Sequence, residues 1–107
     1  MKSIRAVIPE QKLGDVNAAL HEIGISGLTV YESKGRGKHL PQPNRMGHWF
    51  YFSEFGDNNS LLILSRDDEV AKIVETIRKT AEIGKIFVSN IEEVYDIQKN
   101  TTGEEAL

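Results

Sequence analysis

Glu22-Ile-Gly-Ile-Ser-Gly-Leu-Thr-Val-Tyr-Glu-Ser-Lys-Gly-Arg-Gly-Lys38 decides how the chain folds. It reads as a helix end, a tight turn, a strand and a glycine-rich loop. Gly24 suits the left-handed residue that closes a helix, and Gly27 leaves room at the start of a strand. Upstream, Leu13, Val16, Ala19, Leu20 and Ile23 recur at helical spacing, so residues 12–23 are predicted to form an amphipathic helix. Residues 3–8 alternate as a strand and Pro9 closes it. Downstream, residues 28–33 are rich in strand formers. Residues 35–48 carry Pro41, Pro43 and few apolar side chains, and read as a long exposed loop. Loops of that length are usually functional or disordered.

The second half repeats this pattern. Trp49 to Phe55 is aromatic and extended, Gly56-Asp-Asn-Asn59 is a turn signal, and residues 61–65 form a short buried strand, giving a hairpin about 56–59. Asp67 and Asp68 suit a helix start. Val70, Ile73, Val74, Ile77 and Ala81 supply the apolar stripe of that helix, which Gly84 is predicted to end. Residues 85–89 read as a strand, 94–98 as a short extended piece, and 99–107 as a loose polar tail. Both His21-Glu-Ile-Gly24 and Ala81-Glu-Ile-Gly84 lead from a helix into a strand. The expected architecture is a ferredoxin-like α+β fold, βαββαβ, in one domain over 1–107. Two helices then cover one sheet face. Val7, Val30 and Leu62 are expected to line the other, which favours self-assembly.

Composition removes several classes of function. A net charge of −3 leaves no basic stripe to neutralise phosphates, which argues against nucleic acid. Without cysteine there are no disulfides, thiolate nucleophiles or thiolate metal sites. No apolar run is long enough for direct insertion into a membrane, and no signal-peptide segment is evident, so a cytoplasmic protein is expected.

Four groups of residues could carry chemistry. Gly35, Arg36, Gly37 and Lys38 present backbone donors and charge to an anion, against the alternative of a simple hinge. His39 and His48 could bind a divalent metal, against the alternative of solvated loop histidines. Trp49, Phe50, Tyr51, Phe52 and Phe55 cannot all enter one core from a strand, so some belong to a subunit interface or a partner surface. Asp67, Asp68 and Glu69 fit a helix start better than a catalytic pair. No motif supports catalysis. Two alternatives use these histidines: a metal-responsive trimer resembling the CutA-type proteins, through His39 and His48, and a small ferredoxin-like isomerase or oxygenase with His48 beside Trp49.

The chain resembles the nitrogen-regulatory P-II signalling proteins. The resemblance rests on Lys12-Leu13, Val16, Ala19-Leu20 and Glu22 to Gly27, then Thr29, Val30, Glu32 and Lys34-Gly35. It returns at Lys85-Ile-Phe-Val88 and Thr102-Gly-Glu-Glu105. It implies a non-enzymatic homotrimer with ligand clefts between subunits and a long loop that controls a transporter or metabolic enzyme. On this chain the cleft would draw on Val7, Gly27, Leu28, Thr29, Gly35, Arg36, Gly37, Lys38, His39, Leu62, Leu64, Gly84 and Lys85. The loop, about 37–55, would present Gln42, Arg45, His48, Trp49 and Tyr51, and Tyr51 falls where some relatives are modified.

The chain also departs from its relatives. They follow the second helix with Thr-Gly-x-x-Gly-Asp-Gly-Lys around the phosphates, whereas here Ile83-Gly84 leads directly into Lys85-Ile86. Asp96 and Gln98 stand where relatives carry phosphate-binding arginines, Lys38 replaces an arginine, and His39 replaces the glutamine that helps to hold 2-oxoglutarate. Losing cations and gaining a carboxylate disfavours a triphosphate. Weak ATP binding is expected, with ADP, AMP or another small anion as the ligand.

Overall fold

The alternation that begins at Lys2 builds the strand around which the chain is arranged. The computed structural model describes residues 1–35 and 56–107. β1 (Lys2–Pro9) leads through a 3-10 turn, Glu10–Lys12, into α1 (Leu13–Glu22). β2 (Thr29–Gly35) and β3 (Gly56–Ser65) come next, followed by a 3-10 turn at Asp67–Glu69, α2 (Val70–Ala81) and β4 (Lys85–Asn90). The main sheet has the order β2-β3-β1-β4, and each neighbouring pair is antiparallel. β5 (Tyr95–Asp96) and β6 (Thr101–Thr102) form a separate ladder. The order of the first six regular elements is the βαββαβ arrangement expected from the sequence.

Period two sorts the side chains of β1. Ile4, Ala6 and Ile8 are buried, while Arg5 between them is exposed. Ile4 lies opposite Ile63 and Ala6 opposite Leu61 on β3. Val16 and Leu20 from α1, with Ile73, Ile77 and Ala81 from α2, complete this core. Their spacing of three or four residues puts each set on one side of its helix, so both helices cover the same sheet face. The Met1 ammonium donates to Asp67 Oδ1 at 2.8 Å, tying the start of β1 to the approach to α2. That hydrogen bond, and the positive charge behind it, hold the Asp67 carboxyl below the usual carboxylate range.

Four expectations need correction. Gly56-Asp-Asn-Asn59 is not a turn but the first part of β3, with Asn59, Asn58 and Asp57 opposite Glu32, Ser33 and Lys34. Pairing with β2 overrides local turn preference, and Lys34 Nζ lies 3.5 Å from Asp57 Oδ1 across the ladder. The hairpin strands are therefore β2 and β3, and the aromatic strand expected at 49–55 lies outside the described residues. Val30 is opposite Leu61, so it shares the helix-covered face rather than the other one. Gly84 does not end α2; Glu82 takes the left-handed position, with φ 65°. Finally, residues 99–107 contain β6 and a 3-10 turn, Gly103–Ala106. Lys99 N donates to Asp96 Oδ1 at 2.9 Å, and Gly103 N donates to the Val94 carbonyl at 2.9 Å, which orders this tail.

Candidate functional site

The strand register defines a second sheet face, opposite the one the helices cover. Its rows run across the strands. Lys85, Val7, Ser60 and Tyr31 form one row, and Phe87, Arg5, Leu62 and Thr29 form the next. Ser89, Ser3 and Leu64 follow on one side, and Pro9, Asn58 and Ser33 on the other. Tyr31, Leu64 and Phe87 are 48%, 44% and 51% exposed, so this apolar surface is uncovered within one chain.

The candidate ligand residues divide by position. Val7, Thr29, Leu62, Leu64 and Lys85 come together on the open face. Gly35 ends β2 opposite Gly56. A Cβ on Gly35 would lie 2.9 Å from Asn58 Nδ2, so its bare backbone leaves space for that amide, which donates to the Gly56 carbonyl at 3.5 Å. The Ser33 and Ser60 hydroxyls are 3.3 Å apart nearby. The end of the face towards residues 36–55 is therefore polar, while the middle rows set Val7, Leu62, Tyr31 and Phe87 beside Arg5, Ser60, Thr29 and Lys85.

Other candidates do not join this group. Gly27 precedes β2, and Leu28 packs against the core. Gly84 (φ 134°) lies so close to β1 that a Cβ there would fall 2.1 Å from the Val7 carbonyl oxygen. Its visible role is close packing. Arg36, Gly37, Lys38, His39, Gln42, Arg45, His48, Trp49 and Tyr51 lie outside the described residues. Among the described residues, no three His, Cys, Asp or Glu side chains gather in a way that could hold a metal ion.

Two grooves touch the edges of this group, one through Ser33 and Asn58 and the other through Gly84 and Lys85. One of about 440 Å³ is bordered by Glu10, Glu32, Lys34, Asp57 and Asn59. The other, about 490 Å³, runs between α2 and β4 past Ile8, Val74, Ile77 and Ile86. Neither contains Val7, Thr29, Leu62 or Leu64. These four share a surface without forming a pocket in either groove.

The family model described as "Nitrogen regulatory protein P-II" matches residues 1–101. The chain belongs to the P-II family. It is 39% identical to the nitrogen regulatory protein P-II of Mesorhizobium japonicum and 43% identical to that of Pyropia yezoensis, with both partners covered in full. It is 35% identical to nitrogen regulatory protein P-II 2 of Methanothermobacter thermautotrophicus, covering all of this chain and 97% of the relative. The role that the family carries is regulatory signalling, not catalysis. These alignments run over 112 positions against 107 residues here, so at least five positions have no residue in this P-II chain.

Sequence reasoning missed Arg5, Tyr31, Ser60 and Phe87 as members of this P-II protein's open face. The signal was present in the alternation itself. Arg5 is two residues from Val7 and therefore shares its face, just as Phe87 shares that of Lys85.

Proposed function

We propose that this P-II protein works as a cytoplasmic homotrimer that senses a small anion in clefts between subunits and controls a transporter or metabolic enzyme through residues 37–55. The observation that carries this reading is the uncovered sheet face, where exposed Tyr31, Leu64 and Phe87 share a surface with Arg5, Lys85 and the polar end of the β2–β3 hairpin. An apolar surface of this kind favours burial against copies of the same chain. Clefts formed on assembly would border Val7, Thr29, Leu62, Leu64 and Lys85. Gly35 connects that surface directly to the proposed output segment. A ligand bound beside it would favour one arrangement of the segment and shift the population that a partner can capture.

Shortening the segment between Gly37 and Gly47 tests the division of labour. Sedimentation should give a trimer of 12.0 kDa chains for both intact and shortened proteins, with similar thermal melts. A pull-down from native lysate should recover the partner with the intact protein alone. Equal recovery from both would remove the segment from the mechanism, and a stable monomer would remove the trimer.

Nucleotide preference should also differ from triphosphate sensing. The direct passage from Gly84 to Lys85, with Asp96 and Gln98 in the last strand region, supports the loss of several charge-assisted hydrogen bonds. Each is worth roughly 1.5–3 kcal/mol, so ATP affinity should be weaker by orders of magnitude than a complete phosphate site would give. Calorimetry measures this directly, and a low-micromolar dissociation constant for ATP would contradict it.

A further inference from the structure

Two surfaces lack a partner within one chain, and their chemistry is complementary. The first lies on the arm formed by residues 91–107, where β5 and β6 pair with each other and not with the main sheet. Val94 and Asp96 are half-buried, and Asp96 Oδ1 accepts from Lys99 N at 2.9 Å inside the arm. Alternation puts Glu93, Tyr95 and Ile97 on the outer side. Tyr95 is 64% and Ile97 98% exposed. The Tyr95 hydroxyl donates to Glu93 Oε2 at 2.7 Å, which keeps that carboxylate beside the ring. The second surface is the open sheet face, with Tyr31, Leu64 and Phe87 exposed. Arg5 lies opposite Phe87 and Lys85 opposite Val7, so two cations stand among these residues, and no carboxylate occupies any row. Charge divides in the same way along the chain. Residues 91–107 hold five carboxylates and one lysine, a charge of −4 within a chain of −3, so residues 1–90 sum to +1.

We propose that the outer side of this arm, Glu93, Tyr95 and Ile97, covers the open face of a second copy, with the Glu93 carboxylate set against Arg5. The proposal rests on the assembly reading above and names the segment that fills the interface. Apolar contact selects this occupant first, because Tyr95 and Ile97 would leave water together with Phe87, Leu64 and Tyr31. Charge selects it as well. Burying Arg5 against a surface without carboxylates would be costly, and the arm brings one that can accept two parallel hydrogen bonds from the guanidinium. Two open faces meeting each other would instead bring cations to cations. The arm does not cover its own chain's face, since Tyr31, Phe87, Tyr95 and Ile97 all stay exposed. Asp96 takes no part in the contact, being tied to Lys99 N within its own hairpin.

A charge swap tests the contact, with assembly read by sedimentation. Arg5→Glu and Glu93→Arg should each raise the protein concentration needed for trimer formation at least about tenfold, and the double variant should recover most of that loss. Either single variant assembling like wild type, or a double variant no better than the weaker single, would overturn the contact. Crosslinking gives a second readout, clean because the chain has no cysteine of its own. Chains carrying Ile97→Cys and Leu64→Cys, one of them tagged, are co-expressed and oxidised. A disulfide should join the two kinds of chain. Ile97→Cys with Val74→Cys, in the groove between α2 and β4, should give none. An intact trimer in which positions 97 and 64 do not crosslink would overturn the arm contact and leave the open face to another occupant. A monomeric wild type would instead remove the assembly reading.

Discussion

Gly84→Ala is expected to destabilise the protein by roughly 2–6 kcal/mol, combining backbone strain with overpacking. Gly84 has a φ of 134°, which an L side chain rarely adopts, and its added Cβ would fall 2.1 Å from the Val7 carbonyl oxygen. The obstructing atom is backbone in the central region of the sheet, so no side-chain rotation relieves the clash. The chain needs this approach because α2 ends at Ala81 and β4 must begin beside β1 at Lys85. Domains are typically stable by only about 5–15 kcal/mol, so the loss should be plain in a denaturant melt. Gly27→Ala is the control, since Gly27 has no atom within 4 Å of an added Cβ. That variant should stay within about 1 kcal/mol of wild type. A change under about 1 kcal/mol for Gly84→Ala would mean that β4 can start away from β1.

Ile4→Ala should cost about 2–5 kcal/mol through lost burial and the cavity left behind. Ile4 is fully buried and stands between Ile63 and Val88 on the two strands flanking β1. Leu64→Ser, on the other face of the same sheet, provides the contrast. It should leave the fold of the single chain largely intact and act on assembly. Urea midpoints and sedimentation separate the two effects. Equal loss of fold stability from both substitutions, with assembly unaffected, would show that the two faces are not divided between folding and association.

The features most legible in the sequence were those set by long periodic patterns. The stripes Leu13–Val16–Leu20 and Ile73–Ile77–Ala81 fixed the helices and the face they cover, because burial of one side outweighs local detail. Gly24 was read correctly because its left-handed role depends on its own turn, and its φ is 91°. Gly56 to Asn59 misled because Gly, Asp and Asn favour turns locally, whereas the β2 ladder that overrides them depends on residues some twenty-five positions away. Val30 was put on the wrong face because strand register is set between strands and cannot be read from one strand alone. Val7, Thr29, Leu62, Leu64 and Lys85 could be named one by one from the sequence, but that they share one open face with Arg5 and Phe87 follows only from the register between strands.

The central place of β1 has a consequence during synthesis. Lys2 pairs with Ser65 on one side and Asn90 on the other. The first strand of this sheet to leave the ribosome therefore waits for one neighbour until residue 65 of the 107 has been made, and for the other until residue 90. Until then Ile4, Ala6 and Ile8 lack the partners that bury them in the finished sheet. Pairings between such distant segments slow folding, and unpaired strands are exposed to association with other chains in the interval. The first strand of the sheet to be made is the last to be satisfied on both edges, so in a nascent chain this strand has most need of shielding.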